Sequence, residues 1–180
     1  MSRQDLKRVE DYSLSDTDIR KCLGATSIFP YPHLKTVRSI NDVFDAKGRC
    51  MMLVLTTGPT EGHWVCMLRH SVPYDHIEYF DPYGHKPDAE KKIIPAERLQ
   101  QLGEGENTLT QLLKQADVPV IYNTHPFQKM GATMNTCGRH CITRLLYKNL
   151  SLEEYDALIK RSKLSPDDFV SGITFKALRK

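Results

Sequence analysis

Long apolar runs are missing from this 180-residue chain: the longest, Cys50 to Leu55, spans six residues, where a membrane helix needs about 20. No membrane partner is expected. Met1-Ser2-Arg3-Gln4-Asp5 leads into charged residues and not an apolar stretch, so no secretory leader is expected either. Internal repeats, low-complexity tracts and linker-like clusters of Pro and Gly are absent. Residues 1–180 are therefore expected to form one domain, with 1–13 as a flexible lead. The five cysteines are an odd number, which fits free thiols in a reducing compartment better than a disulfide framework. Strong net charge is also lacking, at +3, though the segment from Arg144 to Lys180 carries 8 Lys/Arg against 5 Asp/Glu. That basic C-terminal region makes at most a weak nucleic-acid footprint, since a solvated helix face carries the same charges.

The remaining pattern mixes helices and strands. Ser15-Asp16-Thr17-Asp18 has the spacing of a capping box, followed by Ile19, Cys22 and Leu23 on one face and Gly24 as a stop. Arg49 to Thr57, His63 to His70 and His76 to Asp81 read as strands, each too short for a core helix and bounded by turn residues. Leu109, Leu112, Leu113 and Ala116 recur at helical spacing after Asn107 or Thr108, and Val118 to Tyr122 suits an edge strand because Pro119 lacks a ladder donor. Further helices are expected from Cys137 to about Lys148, after the capping box Ser151-Leu152-Glu153-Glu154, and after Ser165-Pro166-Asp167-Asp168. The fold class is α+β, with a central, mainly antiparallel sheet flanked by helices.

Cys137 opens a helix behind Thr136, a candidate N-cap, so its sulfur would sit at the positive end of the helix dipole, where a thiol pKa falls. Gly138 would leave a substrate carbonyl room to approach, and backbone N–H groups there would face an oxyanion. A nucleophilic thiol needs a base. Among seven histidines, His63 stands out because it opens an apolar strand beside the single Trp. Asp81 ends the next strand, and in an antiparallel pair the two ends meet, placing a carboxylate where it can orient the imidazole. Read alone, each has a plainer account: a strand-edge histidine, an Asp-Pro turn starter, a small helix-start residue. Cys137, His140 and Cys141 share a helix turn, but no second Cys/His pair stands at ligand spacing, so no metal is expected. Arg139 and His140 read as facing solvent or substrate.

Taken in order, Gly-His-Trp at 62–64, Tyr-Phe-Asp-Pro-Tyr-Gly at 79–84, Gln128 and Thr-Cys-Gly-Arg-His-Cys at 136–141 resemble the adenain and ubiquitin-like-protein protease clan of cysteine peptidases. Within that clan the chain is most similar to adenain and the related proteases of large DNA viruses and virus-like transposons. The resemblance implies a papain-like core with the adenain-type order of catalytic residues. It implies Cys137 as nucleophile, His63 as general base, Asp81 as the orienting carboxylate and Gln128 as the side-chain donor of the oxyanion hole. Nine positions separate Gln128 from Cys137, longer than is usual for the clan, and Asn135 lies between them as a rival donor. Trp64 matches an aromatic that walls a narrow substrate channel, with Gly138 and Asn135 beside it.

A cysteine endopeptidase cleaving after glycine is the leading expectation, with processing of viral or virus-like precursors during assembly as its setting. Polypeptides are the implied partners, no cofactor is expected, and the implied location is an intracellular, reducing one, host cytoplasm or nucleus, compatible with packaging in virions. Three alternatives keep the fold: a deubiquitinase or deSUMOylase acting on ubiquitin-like tails, an acetyltransferase, and a catalytically silent binding module. No Gly-rich phosphate cradle marks a site for an acyl carrier, and the intact His, Asp, Gln and Cys set argues against a silent module.

Overall fold

The computed structural model describes residues 3–129 and 135–178. Five strands form one open sheet in the order β1-β2-β3-β4-β5: β1 (Ser27–Pro30), β2 (Arg49–Gly58), β3 (Glu61–His70), β4 (His76–Phe80) and β5 (Val120–Tyr122). The central three are antiparallel neighbours, as the sequence pattern predicts. Both edge strands instead pair in parallel, β1 with β2 and β5 with β4.

Seven helices surround the sheet among the described residues: α1 (Arg3–Glu10), α2 (Asp16–Leu23), α3 (Ala96–Gln101), α4 (Thr108–Lys114), α5 (Cys137–Leu146), α6 (Leu152–Ser162) and α7 (Pro166–Leu178). The boxes at Ser15/Asp18 and Ser151/Glu154 cap α2 and α6 as expected. Helix α1 occupies most of the stretch expected to be a flexible lead, and it meets α7.

Side chains alternate across β2 and β3, so each strand feeds two cores. Met51, Cys66, Leu68 and Phe80 pack with Cys141, Ile142, Leu145, Tyr155 and Phe169 on one face. On the other, Cys50, Met52, Val54, Val65, Met67 and Tyr79 pack with Tyr31, Leu34, Ile40 and the leucines of α4. Burial on both faces is why the strand from Arg49 reads as a continuous apolar run.

The first core fixes α5 against β3, and one polar brace crosses it. Arg144 donates from Nε and Nη2 to the two carboxylate oxygens of Glu78 on β4, both at 2.7 Å, and to the carbonyls of Tyr147 and Leu150. Arg144 is fully buried, so the basic C-terminal region expected at the surface loses its first member to the core. His70 adds a third contact to Glu78 at 3.2 Å. Burial pushes the Glu78 carboxyl up, but the hydrogen bonds from His70 and Arg144, with the charge of these groups, hold it below the usual range.

Candidate active site

Asp81 follows the last residue of β4, and the register that sets Cys66 opposite Phe80 brings its carboxylate to the start of β3. His63 Nε2 donates to Asp81 Oδ1 at 2.8 Å. Asp81 is fully buried and doubly anchored: its N–H donates to Asn123 Oδ1, whose amide nitrogen donates back to the Asp81 carbonyl. The Tyr83 N–H donates to Asp81 Oδ1 at 2.7 Å, and the Tyr83 ring stacks on the His63 imidazole at 4.7 Å and 21°. Gly84 turns the chain here at a φ of 76°, left-handed territory that disfavours most side chains, and a Cβ would meet the His125 backbone at 2.7 Å.

Cys137 is the first residue of α5 and hydrogen-bonds His63. With Nε2 held by Asp81, that contact falls to Nδ1. Burial alone pushes the thiol pKa up; the His63 hydrogen bond and charge, with the backbone N–H groups of Trp64 and Gly138, outweigh it and lower the pKa below the usual 9.0. Burial pushes the imidazole down, but Asp81 and Cys137 together raise it to about 10. The two shifts act in the same direction, favouring a thiolate–imidazolium pair over the neutral thiol and imidazole.

Thr136 sits at the N-cap position but does not cap. Its hydroxyl donates instead to Asp167 Oδ1 at 2.6 Å, and the Gly138 N–H of α5 serves the sulfur. Asp167, in the first turn of α7, also accepts from His140 Nε2 at 3.0 Å and, through Oδ2, from the Lys129 N–H at 3.3 Å. One carboxylate thus ties Lys129 and Thr136, the two ends of the stretch that includes residues 130–134, which lie outside the described residues.

Gln128 is buried, its N–H donates to the Pro82 carbonyl, and its Nε2 donates to the Tyr83 hydroxyl at 3.2 Å. Tyr83 therefore joins Gln128 to the His63 ring. Asn135 is committed elsewhere: its N–H donates to the Glu10 carbonyl and its Nδ2 to that of Asp11 at 3.0 Å. At Gly138 a Cβ would meet Trp64 Cδ1 at 3.2 Å and Leu14 beyond it, so the glycine makes room for Trp64. Arg139 and His140, expected at solvent or substrate, are buried; Arg139 donates to Thr174 Oγ1 and the Tyr12 carbonyl. Outside this cluster a groove of about 740 Å³ runs past Cys137, lined among others by Leu14, Ile28, Leu53, Trp64 and Asn135.

No protein-family model matches the chain. Over 176 residues it is 33% identical to "Uncharacterized protein V9" of the Sputnik virophage, covering 95% of this chain and 99% of that protein. The chain belongs to the family of virophage protein V9. Among solved structures, this V9-family protein is similar to the central domain of the Lpg1148 protein from Legionella pneumophila, with a TM-score of 0.44, 18% identity, and coverage of 93% of this chain and 97% of that one. It is also similar to a de-sumoylating protease, with a TM-score of 0.35, 13% identity, and coverage of 99% and 79%.

Three contributors to the candidate site of this V9-family protein escape the sequence reading. Tyr83 stands inside the quoted 79–84 motif, two residues after Asp81, where an aromatic beside the candidate orienting carboxylate is a usable signal. Asp167 hides inside a helix-start pattern that explains it equally well, and Asn123 carries no signal at all, since only the pairing of β4 with β5 brings it to Asp81.

Proposed function

We propose that this protein is a cysteine endopeptidase with Cys137 as nucleophile, His63 as base and acid, and Asp81 as the group that orients the imidazole. One observation carries the reading: His63 meets the Cys137 thiol with one ring nitrogen while Asp81 holds the other at 2.8 Å. The thiolate adds to a peptide carbonyl, and the oxyanion is met by the Cys137 N–H, which has no partner within its own helix, with Gln128 as the side-chain donor. His63 gives its proton to the leaving amine as the C–N bond breaks. Water then loses a proton to His63, attacks the thioester and restores the thiolate–imidazolium pair.

The groove beside Cys137 supports a polypeptide substrate, with apolar walls at Leu14, Ile28 and Leu53 for an upstream side chain. Trp64 narrows it next to the sulfur, which favours a residue with no Cβ before the scissile bond, since a slot sized for backbone excludes side chains more sharply than an open pocket does. Kinship with a virophage protein along nearly the whole chain supports a setting in virus precursor processing.

Two probes test this: a short Gly-Gly peptide with a C-terminal electrophile, and ubiquitin or SUMO carrying the same warhead. Labelling of Cys137 by the peptide alone is expected. Labelling only by the ubiquitin-like probes reassigns the substrate, and no labelling by either contradicts the peptidase reading.

A further inference from the structure

Behind His63, on the side of Asp81 away from the imidazole, four polar atoms are buried without a hydrogen-bond partner: Asp81 Oδ2, His85 Nδ1 and both carboxylate oxygens of Glu90. Leaving such atoms unsatisfied is costly, and a native fold compensates them. Glu90, on the 3₁₀ turn Glu90–Ile93, is only 5% exposed and Asp81 0%. Among the described residues these three side chains form the group able to hold a metal ion, with ligand atoms all within 4.8 Å of one another. Asp81 Oδ2 and His85 Nδ1 are 3.6 Å apart, close to the edge of about 3.4 Å that bonds of roughly 2.0–2.2 Å span in a tetrahedron.

We propose that Asp81, His85 and Glu90 bind one divalent transition cation of the zinc class. Two carboxylates neutralise a charge of two, and the imidazole selects a borderline metal over magnesium or calcium, which take oxygen alone. His85 keeps 31% of its side chain exposed and provides the entry path. The site shares Asp81 with the proposed catalytic centre: Oδ1 holds His63 and Oδ2 faces the ion. Occupancy draws negative charge away from the imidazole, so the ion slows the reaction of Cys137. That consequence rests on the peptidase reading; the binding itself does not.

The test is zinc titration of the full chain carrying Cys137→Ala, so that the thiol cannot hold the ion, by calorimetry and X-ray absorption. One zinc per chain is expected, with one nitrogen and the remaining ligands oxygen at about 2.0–2.2 Å. Adding His85→Ala or, separately, the isosteric Glu90→Gln should each weaken binding by at least about tenfold. No binding, or binding that neither substitution weakens, overturns the site. Since the titration reads no turnover, its failure leaves the peptidase reading standing, and failure of the electrophile probes leaves the site standing.

Discussion

His63 and His140 each donate from Nε2 to an aspartate Oδ1, at 2.8 and 3.0 Å, and both are buried, His140 on α5 and His63 on the strand it packs against, yet their pKa values shift in opposite directions. His63 is raised to about 10, whereas burial pushes His140 below its usual 6.5, the His63 charge adds to that, and Asp167 does not offset them. The difference lies in the second nitrogen. That of His63 meets the Cys137 thiol, while Nδ1 of His140 is buried with no hydrogen-bond partner, so charging that ring would bury an unpaired N–H. Asp167 also divides its acceptors among His140, Thr136 and Lys129. A histidine–aspartate contact is therefore no mark of a catalytic pair by itself; what distinguishes one is a third group able to exchange a proton.

Single substitutions should separate the two histidines and their partners. Cys137→Ala should abolish labelling and cleavage with little loss of stability, because one small side chain at a helix start is removed; residual turnover would reassign the nucleophile. His63→Ala should lower the rate by orders of magnitude, while His140→Ala leaves the chemistry in place and lowers the melting temperature. Comparable kinetic losses in the two would erase the distinction. Gln128→Ala should cost roughly 10²–10³ in rate, and Asn135→Ala less, since Gln128 joins the His63 cluster through Tyr83 whereas Asn135 bonds the carbonyls of Glu10 and Asp11. Asp81→Asn keeps a hydrogen-bonding side chain but removes the charge facing the imidazolium, so steady-state kinetics should show a smaller defect than for His63→Ala.

The smallest effect concerns stability against pH. The folded state holds His140 neutral to a lower pH than the unfolded chain does, so between its usual 6.5 and its lowered value the unfolded state binds more protons. Its contribution is present above pH 6.5 and is lost as the pH falls through the lowered value. Denaturant midpoints from pH 7.5 to 5 should therefore drop more steeply for the native chain than for His140→Gln; parallel curves would contradict the lowered pKa.

Much of this was legible in the sequence because strand period and capping chemistry are local. The capping boxes at Ser15 and Ser151 hold, and the antiparallel reading that put His63 beside Asp81 follows from the positions of two strand ends. The parallel edge strand Ser27–Pro30 was missed, being four residues long and joined to its partner only by crossing chain. Arg144 was misread because charge counts treat every lysine and arginine as solvated; its bidentate contact with Glu78 is long-range. Thr136 fits an N-cap by type and place, yet Asp167, 31 residues away, claims its hydroxyl.

On the peptidase reading, His63 and not His140 activates Cys137. The most direct test is the rate of Cys137 alkylation by iodoacetamide from pH 4 to 10 in the native chain, His63→Ala and His140→Ala, with the modified residue identified by mass spectrometry. The native profile should rise through a pKa below 9, His140→Ala should overlay it, and His63→Ala should move the rise upward in pH. A profile unmoved by His63→Ala, or moved equally by His140→Ala, would contradict the account.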